Sequence, residues 1–245
     1  MKPLNNEQVG ISAEIAIADV FNVPIEPSYR SRGVPQIIAS LKTIVDKIFS
    51  SNNIPDPVEH IATEQNPVDF ILDDKKTLSV KTNKQQLGKV APQRIGQASS
   101  KTWFFLLADL LNIDEKEIPK DYKSKTLLFK VIALSRSDEL LTIYWENMFD
   151  CDFLVHIFNV VDKNDILTNK PEYMVSTKMK SPVWKKEKIS FTKRTLADWG
   201  ESNTVKYDGI TIGEYQIHNN RDNFKFRFNI KGISDLINSG KLTVS

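Results

Sequence analysis

Asn66-Pro67-Val68-Asp69-Phe70-Ile71-Leu72-Asp73-Asp74-Lys75-Lys76-Thr77-Leu78-Ser79-Val80-Lys81 decides how this chain is read. Two apolar runs flank a charged turn, which predicts a β-hairpin over residues 68–82 with Asp73 and Asp74 as solvated turn residues. Side chains alternate along a strand, so Ser79 and Lys81 share one face and Val80 takes the other. Asp69 joins the face of Ser79 and Lys81 from the neighbouring strand. An acid and a lysine facing each other on adjoining strands form either a surface cross-strand pair or a site for a cation and a water beside a phosphate. Phosphodiester hydrolysis needs three things: a hard cation on the phosphoryl oxygens, a water held in line with the leaving oxygen, and neutralisation of the charge that builds up. Mg²⁺ takes one or two carboxylates and fills its remaining positions with water and phosphate oxygens. On this reading Asp69 is the main metal ligand, the Val80 carbonyl is a second, and Lys81 holds the water or the developing charge.

Outward from the hairpin, residues 8–22 carry Ile11, Ile15 and Ala18 at helical spacing, with Ser12 suiting a first turn and Pro24 and Pro27 closing the segment. Residues 28–33 form a polar basic loop. A second helix is predicted over 34–51, with Ile37, Leu41, Ile44, Val45 and Ile48 on one stripe. Pro55-Asp56-Pro57 breaks the chain before the hairpin. After it come a basic loop at 84–89 and a predicted helix at 92–112. Residues 126–134 are an apolar run that periodicity leaves open between strand and helix. Residues 140–149 are read as a strand and then a short helix. Residues 170–194 are rich in lysine, with Tyr173, Trp184 and Phe191 among them. Three strands are predicted at 203–207, 210–217 and 224–230, the first two joined by an Asp208-Gly209 turn. The expectation is one α/β domain, with a core over 1–165 and a β-rich C-terminal lobe over 166–245.

The 245 residues are 40% apolar and 26% charged with a formal net charge of +2, an ordinary globular balance without a global basic field. A groove needs local rather than average positive charge. Cys151 is the single cysteine, which excludes a disulfide framework and a cysteine-rich zinc site and leads to the expectation of a reducing cytoplasm. No apolar run approaches the ~20 residues of a bilayer span, and the first residues lack a secretory apolar region. His60, His156 and His218 have no metal-ligand spacing; His156, among apolar neighbours, is expected to be a satisfied core or half-buried histidine.

Pro67-Val68-Asp69 and Ser79-Val80-Lys81 resemble the signature of the PD-(D/E)XK nucleases, and within them the type II restriction endonucleases. One residue is inserted in the first element, and serine stands where an acid is usual in the second, as in several members of that family. The resemblance implies a restriction-endonuclease-like core, a mixed central sheet flanked by helices. It also implies a glutamate from the first helix, a role that Glu14 fits, so that Glu14, Asp69, Ser79 and Lys81 would form the catalytic set. Residues 13–21 resemble the opening of the monomeric four-base-cutting members, and residues 210–230 their C-terminal recognition segment. The implied activity is Mg²⁺-dependent, sequence-specific cleavage of double-stranded DNA in a restriction–modification system. A cognate DNA methyltransferase would be its functional counterpart, and the chain would act as a monomer or homodimer. Ser79 keeps open a second reading, a non-catalytic DNA-binding protein on a degenerate nuclease fold. A structure-specific repair or recombination nuclease is a third.

Affinity for a duplex comes largely from phosphate contacts and specificity from base edges. Candidate phosphate contacts are Arg30, Arg32, Lys84, Lys89, Lys101, Lys185, Lys186 and Lys188. Arginine reads guanine, and asparagine or glutamine reads adenine, by bidentate bonds. The expected readers are His218, Asn219, Asn220, Arg221, Lys225 and Arg227, with Gln93, Arg94 and Gln97 as a second set. Arg94, Gln97 and Lys101 share a helix face by spacing.

Overall fold

A computed structural model describes residues 4–62, 66–92, 95–96, 108–168, 170–218 and 220–244. It divides into two compact units that interleave in sequence: Met1–Gly88 with Phe149–Met179, and Lys89–Met148 with Lys180–Ser245. The sequence reading had instead one break after residue 165.

The first unit is α/β. Its sheet runs β1 (Pro57–His60), β2 (Phe70–Leu72), β3 (Thr77–Thr82), β4 (Phe153–Phe158), β5 (Glu172–Thr177) in spatial order. β3 and β4 pair in parallel and the other neighbours are antiparallel, so the sheet is mixed. The hairpin forms where the alternation placed it. Lys75 takes a positive φ of 68° in the turn, and Asp73 and Asp74 are exposed there. Helix α1 (Asn6–Phe21) packs against β1, β3 and helix α3 (Pro35–Ser51). Ile37, Leu41, Val45, Ile48 and Phe49 form the buried stripe of α3. The start of α1 lies earlier than Ser12. Asn5 and Gln8 form a reciprocal capping box there. Ser12 sits mid-helix, where its hydroxyl donates to the Gln8 carbonyl at 2.7 Å and accepts the Val34 N–H at 2.9 Å.

The second unit has an antiparallel sheet, β6 (Ile189–Phe191), β7 (Ser202–Tyr207), β8 (Ile210–His218) and β9 (Asn223–Phe228). Asp208 and Gly209 turn β7 into β8 with φ of 47° and 81°, as a hairpin that matches strand twist demands. Helices α4 (Tyr122–Ser135), α5 (Ser137–Met148) and α6 (Ile230–Asn238) complete the described elements of this unit with more than four residues. Residues 126–134 are thus helical, started by Asp121, whose side chain accepts the Ser124 N–H. Residues 140–148 are also helical and not a strand. Thr142-Ile143-Tyr144-Trp145 has strand-type composition, but Leu141, Tyr144, Trp145 and Met148 repeat at helical spacing and are all buried. The core is aromatic. Tyr215 meets Phe226 at 4.8 Å between centroids and Phe129 at 5.5 Å, and Trp145 meets Phe228 at 5.3 Å. Trp184 packs on Trp145 and is buried, and the half-buried Phe191 stacks on Tyr215, so these two aromatics of the lysine-rich stretch pack on the core of the unit. Of the predicted 92–112 helix, residues 108–111 are helical, and most of the rest lies outside the described residues. No helix among the described residues is long and apolar enough to cross a membrane.

Candidate active site

β2 begins at Phe70, which pairs with Leu78. One residue earlier, the Asp69 backbone still belongs to the ladder: its N–H donates to the Leu78 carbonyl and its carbonyl accepts the Ile61 N–H, both at 2.9 Å. Beyond that point the Asp69 side chain replaces a strand. Its Oδ2 accepts the Val80 N–H at 2.6 Å and the Ser79 hydroxyl at 3.1 Å. The N–H and C=O of one strand residue point to the same edge, so the Val80 carbonyl faces the gap that Asp69 occupies. Asp69 and Ser79 are buried, at 4% and 1% exposure.

Glu14 enters from α1 and is also buried. Its Oε2 accepts the Tyr29 hydroxyl at 2.5 Å and lies 3.0 Å from His60 Nε2. Tyr29 comes from helix α2 (Pro27–Arg30), and His60 ends β1. The His60 ring packs 4.8 Å from Tyr29 and 5.0 Å from Phe70.

Glu14, Asp69 and Lys81 share one electrostatic neighbourhood. Burial, and then the negative charge of Glu14, push the Asp69 carboxyl up to about 7, against the pull of Lys81, the Val80 N–H and the Ser79 hydroxyl. Lys81 makes no ion pair among the described residues. It lies opposite His156 in the parallel register. Burial, and then Lys81, push His156 down to about 4, which keeps the imidazole neutral. Asn83 Oδ1 accepts the Gly88 N–H at 2.9 Å and sits 2.6 Å from His156 Nε2. That oxygen needs a donor from the ring, so Nε2 carries the proton. Nδ1 is left buried without a partner, and the expected satisfied histidine is only half satisfied. Burial holds the Cys151 thiol up at about 12, which makes it a poor nucleophile.

The donor set suits a hard cation. Asp69 and Glu14 each commit one oxygen to protein donors, and Asp69 Oδ1 and Glu14 Oε1 accept no hydrogen bond among the described residues. Two carboxylates and a carbonyl are all-oxygen ligands, the Mg²⁺ preference. Among the described residues no group of three or more His, Cys, Asp or Glu side chains is placed to hold a metal ion, so any cation here depends on the backbone and on water or substrate oxygens.

The candidate DNA contacts are placed less uniformly. Lys185 and Lys186 are exposed beside the short helix Lys186–Lys188. Lys188 is paired with Asp208 at 2.8 Å. Arg30 pairs with Asp19, Arg32 with Glu7 and Lys84 with Asp165, so the basic loop at 28–33 is folded onto acids of α1. Lys89 and Arg227 converge on Glu214 at 2.5 and 3.2 Å. Lys225 and Arg227 alternate with buried phenylalanines, on the polar face of the second sheet. Burial, then Arg221 and Arg227, push the Lys225 ammonium down. His218 lies 3.5 Å from Glu201. Asn220 and Arg221 are exposed at the β8–β9 turn. Gln93, Arg94, Gln97, Lys101 and Asn219 lie outside the described residues. Sequence reasoning missed Tyr29 and His60 as partners of Glu14. Their separations along the chain, 15 and 46 residues, match no helical or strand repeat that would have revealed them.

Fold and cluster together define a class of site: two buried carboxylates, a backbone carbonyl and one lysine free of ion pairs, carried by a hairpin and a helix of a mixed α/β sheet. The chain is similar to the type II restriction enzyme CviAII of Paramecium bursaria Chlorella virus 1, with 26% identity over 231 residues, 94% of this chain. It spans 60% of that protein's length. No family model matches the chain, and no solved structure matches it.

Proposed function

We propose that this chain is a Mg²⁺-dependent, sequence-specific endonuclease that hydrolyses phosphodiester bonds of double-stranded DNA. In this reading it is a type II site-specific deoxyribonuclease of the PD-(D/E)XK kind, working in a restriction–modification system. The observation that carries the proposal is the shared neighbourhood of Glu14, Asp69 and Lys81, with one uncommitted oxygen on each carboxylate. The similarity to CviAII supports the same reading.

Asp69 Oδ1, Glu14 Oε1 and the Val80 carbonyl would hold the cation. When bound, Mg²⁺ polarises the phosphoryl oxygens and offsets negative charge. Ser79 and the Val80 N–H fix the Asp69 carboxylate, so that it need not reorganise during the reaction. Lys81 supplies an ammonium with no ion-pair partner among the described residues, available to orient the attacking water or to stabilise the charge that develops on phosphorus oxygens. His156, neutral beside it, adds no repelling charge. Lys185 and Lys186 would contact phosphates, and Arg221, Lys225 and Arg227 would approach bases from the β8–β9 hairpin.

Incubation with unmethylated plasmid and Mg²⁺ tests the proposal. Discrete fragments are expected, and Lys81→Ala and Asp69→Ala should bind DNA but lose at least about 100-fold in cleavage. A shift of DNA mobility without cutting by the wild-type chain would overturn the nuclease and favour the non-catalytic binder.

A further inference from the structure

We propose that Tyr29 and His60 are positioning residues that lock one oxygen of Glu14 and thereby reserve the other for a hard cation. This rests on the nuclease reading above and deepens it. Both donors converge on Oε2, at 2.5 and 3.0 Å, and Oε1 receives nothing from the described residues. Neither Oε1 nor Asp69 Oδ1 is sealed from solvent, so each is open to water or a cation while its sister oxygen is held by protein donors. Asp69 shows the same division, with two donors on Oδ2 and none on Oδ1. Two buried acids that each keep one oxygen open form a matched pair of ligand atoms.

The supports of the clamp lead to both acids. Tyr29 sits on a turn fastened to α1, the helix of Glu14, by Arg30–Asp19 at 2.6 Å, Arg32–Glu7 at 2.5 Å and Val34 N–H to Ser12 Oγ at 2.9 Å. The Arg32 guanidinium lies 5.3 Å from the Tyr29 ring centre. On the other side, the His60 ring is packed between Tyr29 and Phe70, and Phe70 is the residue after Asp69. One row of rings therefore runs from the group that holds Glu14 to the backbone that holds Asp69, and it fixes the span between the two carboxylates. Outer partners of metal ligands act in this way, and their loss typically costs 10–100-fold in metal affinity.

Calorimetric titration of the DNA-free protein with Mn²⁺ tests the clamp. Tyr29→Phe removes one oxygen and keeps the ring row; it should weaken Mn²⁺ binding about 10-fold or more, with the fold retained by circular dichroism and a loss of stability no larger than that of one buried hydrogen bond. In cleavage assays it should raise the half-saturating Mg²⁺ concentration, with the rate recovering at saturating Mg²⁺. His60→Leu should weaken Mn²⁺ binding similarly, and His60→Gln, which keeps a donor, should recover part of the loss. Unchanged Mn²⁺ affinity and Mg²⁺ half-saturation in Tyr29→Phe would overturn the proposal, whatever the folding of the His60 variants. Asp69→Ala separates the two readings. If it loses Mn²⁺ binding and cleavage while Tyr29→Phe loses neither, the clamp alone fails. If it keeps both, the nuclease site itself is wrong and the clamp falls with it.

Discussion

Ser79 donates its hydroxyl to Asp69 Oδ2 across 3.1 Å inside the sheet. The serine thus supports the carboxylate of the neighbouring strand instead of contributing a second one at its own position. Ser79→Ala leaves Asp69 one donor short in a buried place. The expected cost is about 1–3 kcal/mol of stability, read by urea unfolding, with cleavage reduced and not abolished. An unaltered unfolding midpoint would show that the bond contributes nothing.

Asp69 predicts an unusual pH dependence for the cation-free protein. Its carboxyl is raised from the ordinary 3.8 to about 7, so between those values the folded chain binds more protons than the unfolded one. Stability therefore falls as pH rises through this window and is lowest, from this group, above 7. Asp69→Asn removes the liability and should stabilise the protein at pH 8 on the order of a few kcal/mol, with little effect near pH 4. His156 works in the opposite sense, losing stability as pH falls from 6.5 toward 4. The difference between Asp69→Asn and wild type isolates the aspartate. Melting curves across this range check it; a pH-independent difference would contradict the assignment.

Gly213 lies in β8, where an added Cβ would sit 2.5 Å from the Arg227 carbonyl oxygen and from the Phe226 ring. Neither backbone nor packed ring can yield cheaply. Gly213→Ala should destabilise the second unit by about 1–3 kcal/mol, seen in denaturant unfolding.

Glu214 neutralises Lys89 and Arg227 together. If this face meets phosphates, Glu214→Gln should tighten non-specific DNA binding. The slope of log K against log salt should also steepen by about 1–2, one unit per released cation. An identical slope would place the two cations away from the duplex.

The local part of this architecture was legible in the sequence. Asp69, Ser79 and Lys81 lie on one hairpin whose alternation fixes their faces, and Glu14 lies on a helix marked by its apolar repeat. What joins them was not legible. Tyr29 and His60 reach Glu14 through the tertiary fold, and Asp69 replaces a missing strand bond to Val80, which no periodicity encodes. Residues 140–148 misled because β-branched and aromatic residues were used in a helix, where burial outweighs propensity. The arginines at 30 and 32 read as free cations because their partners, Asp19 and Glu7, lie on a different element.

The split of the first unit into two stretches of sequence bears on how the molecule is made. β3, which carries Lys81, completes its parallel pairing only with β4, and Thr77 is joined to Asp152 across 75 residues of chain. Such remote pairing is entropically slow. On a ribosome the edge beside Lys81 stays bare until the polypeptide past residue 153 has emerged, so an unfinished chain cannot assemble a complete sheet around its acids and lysine.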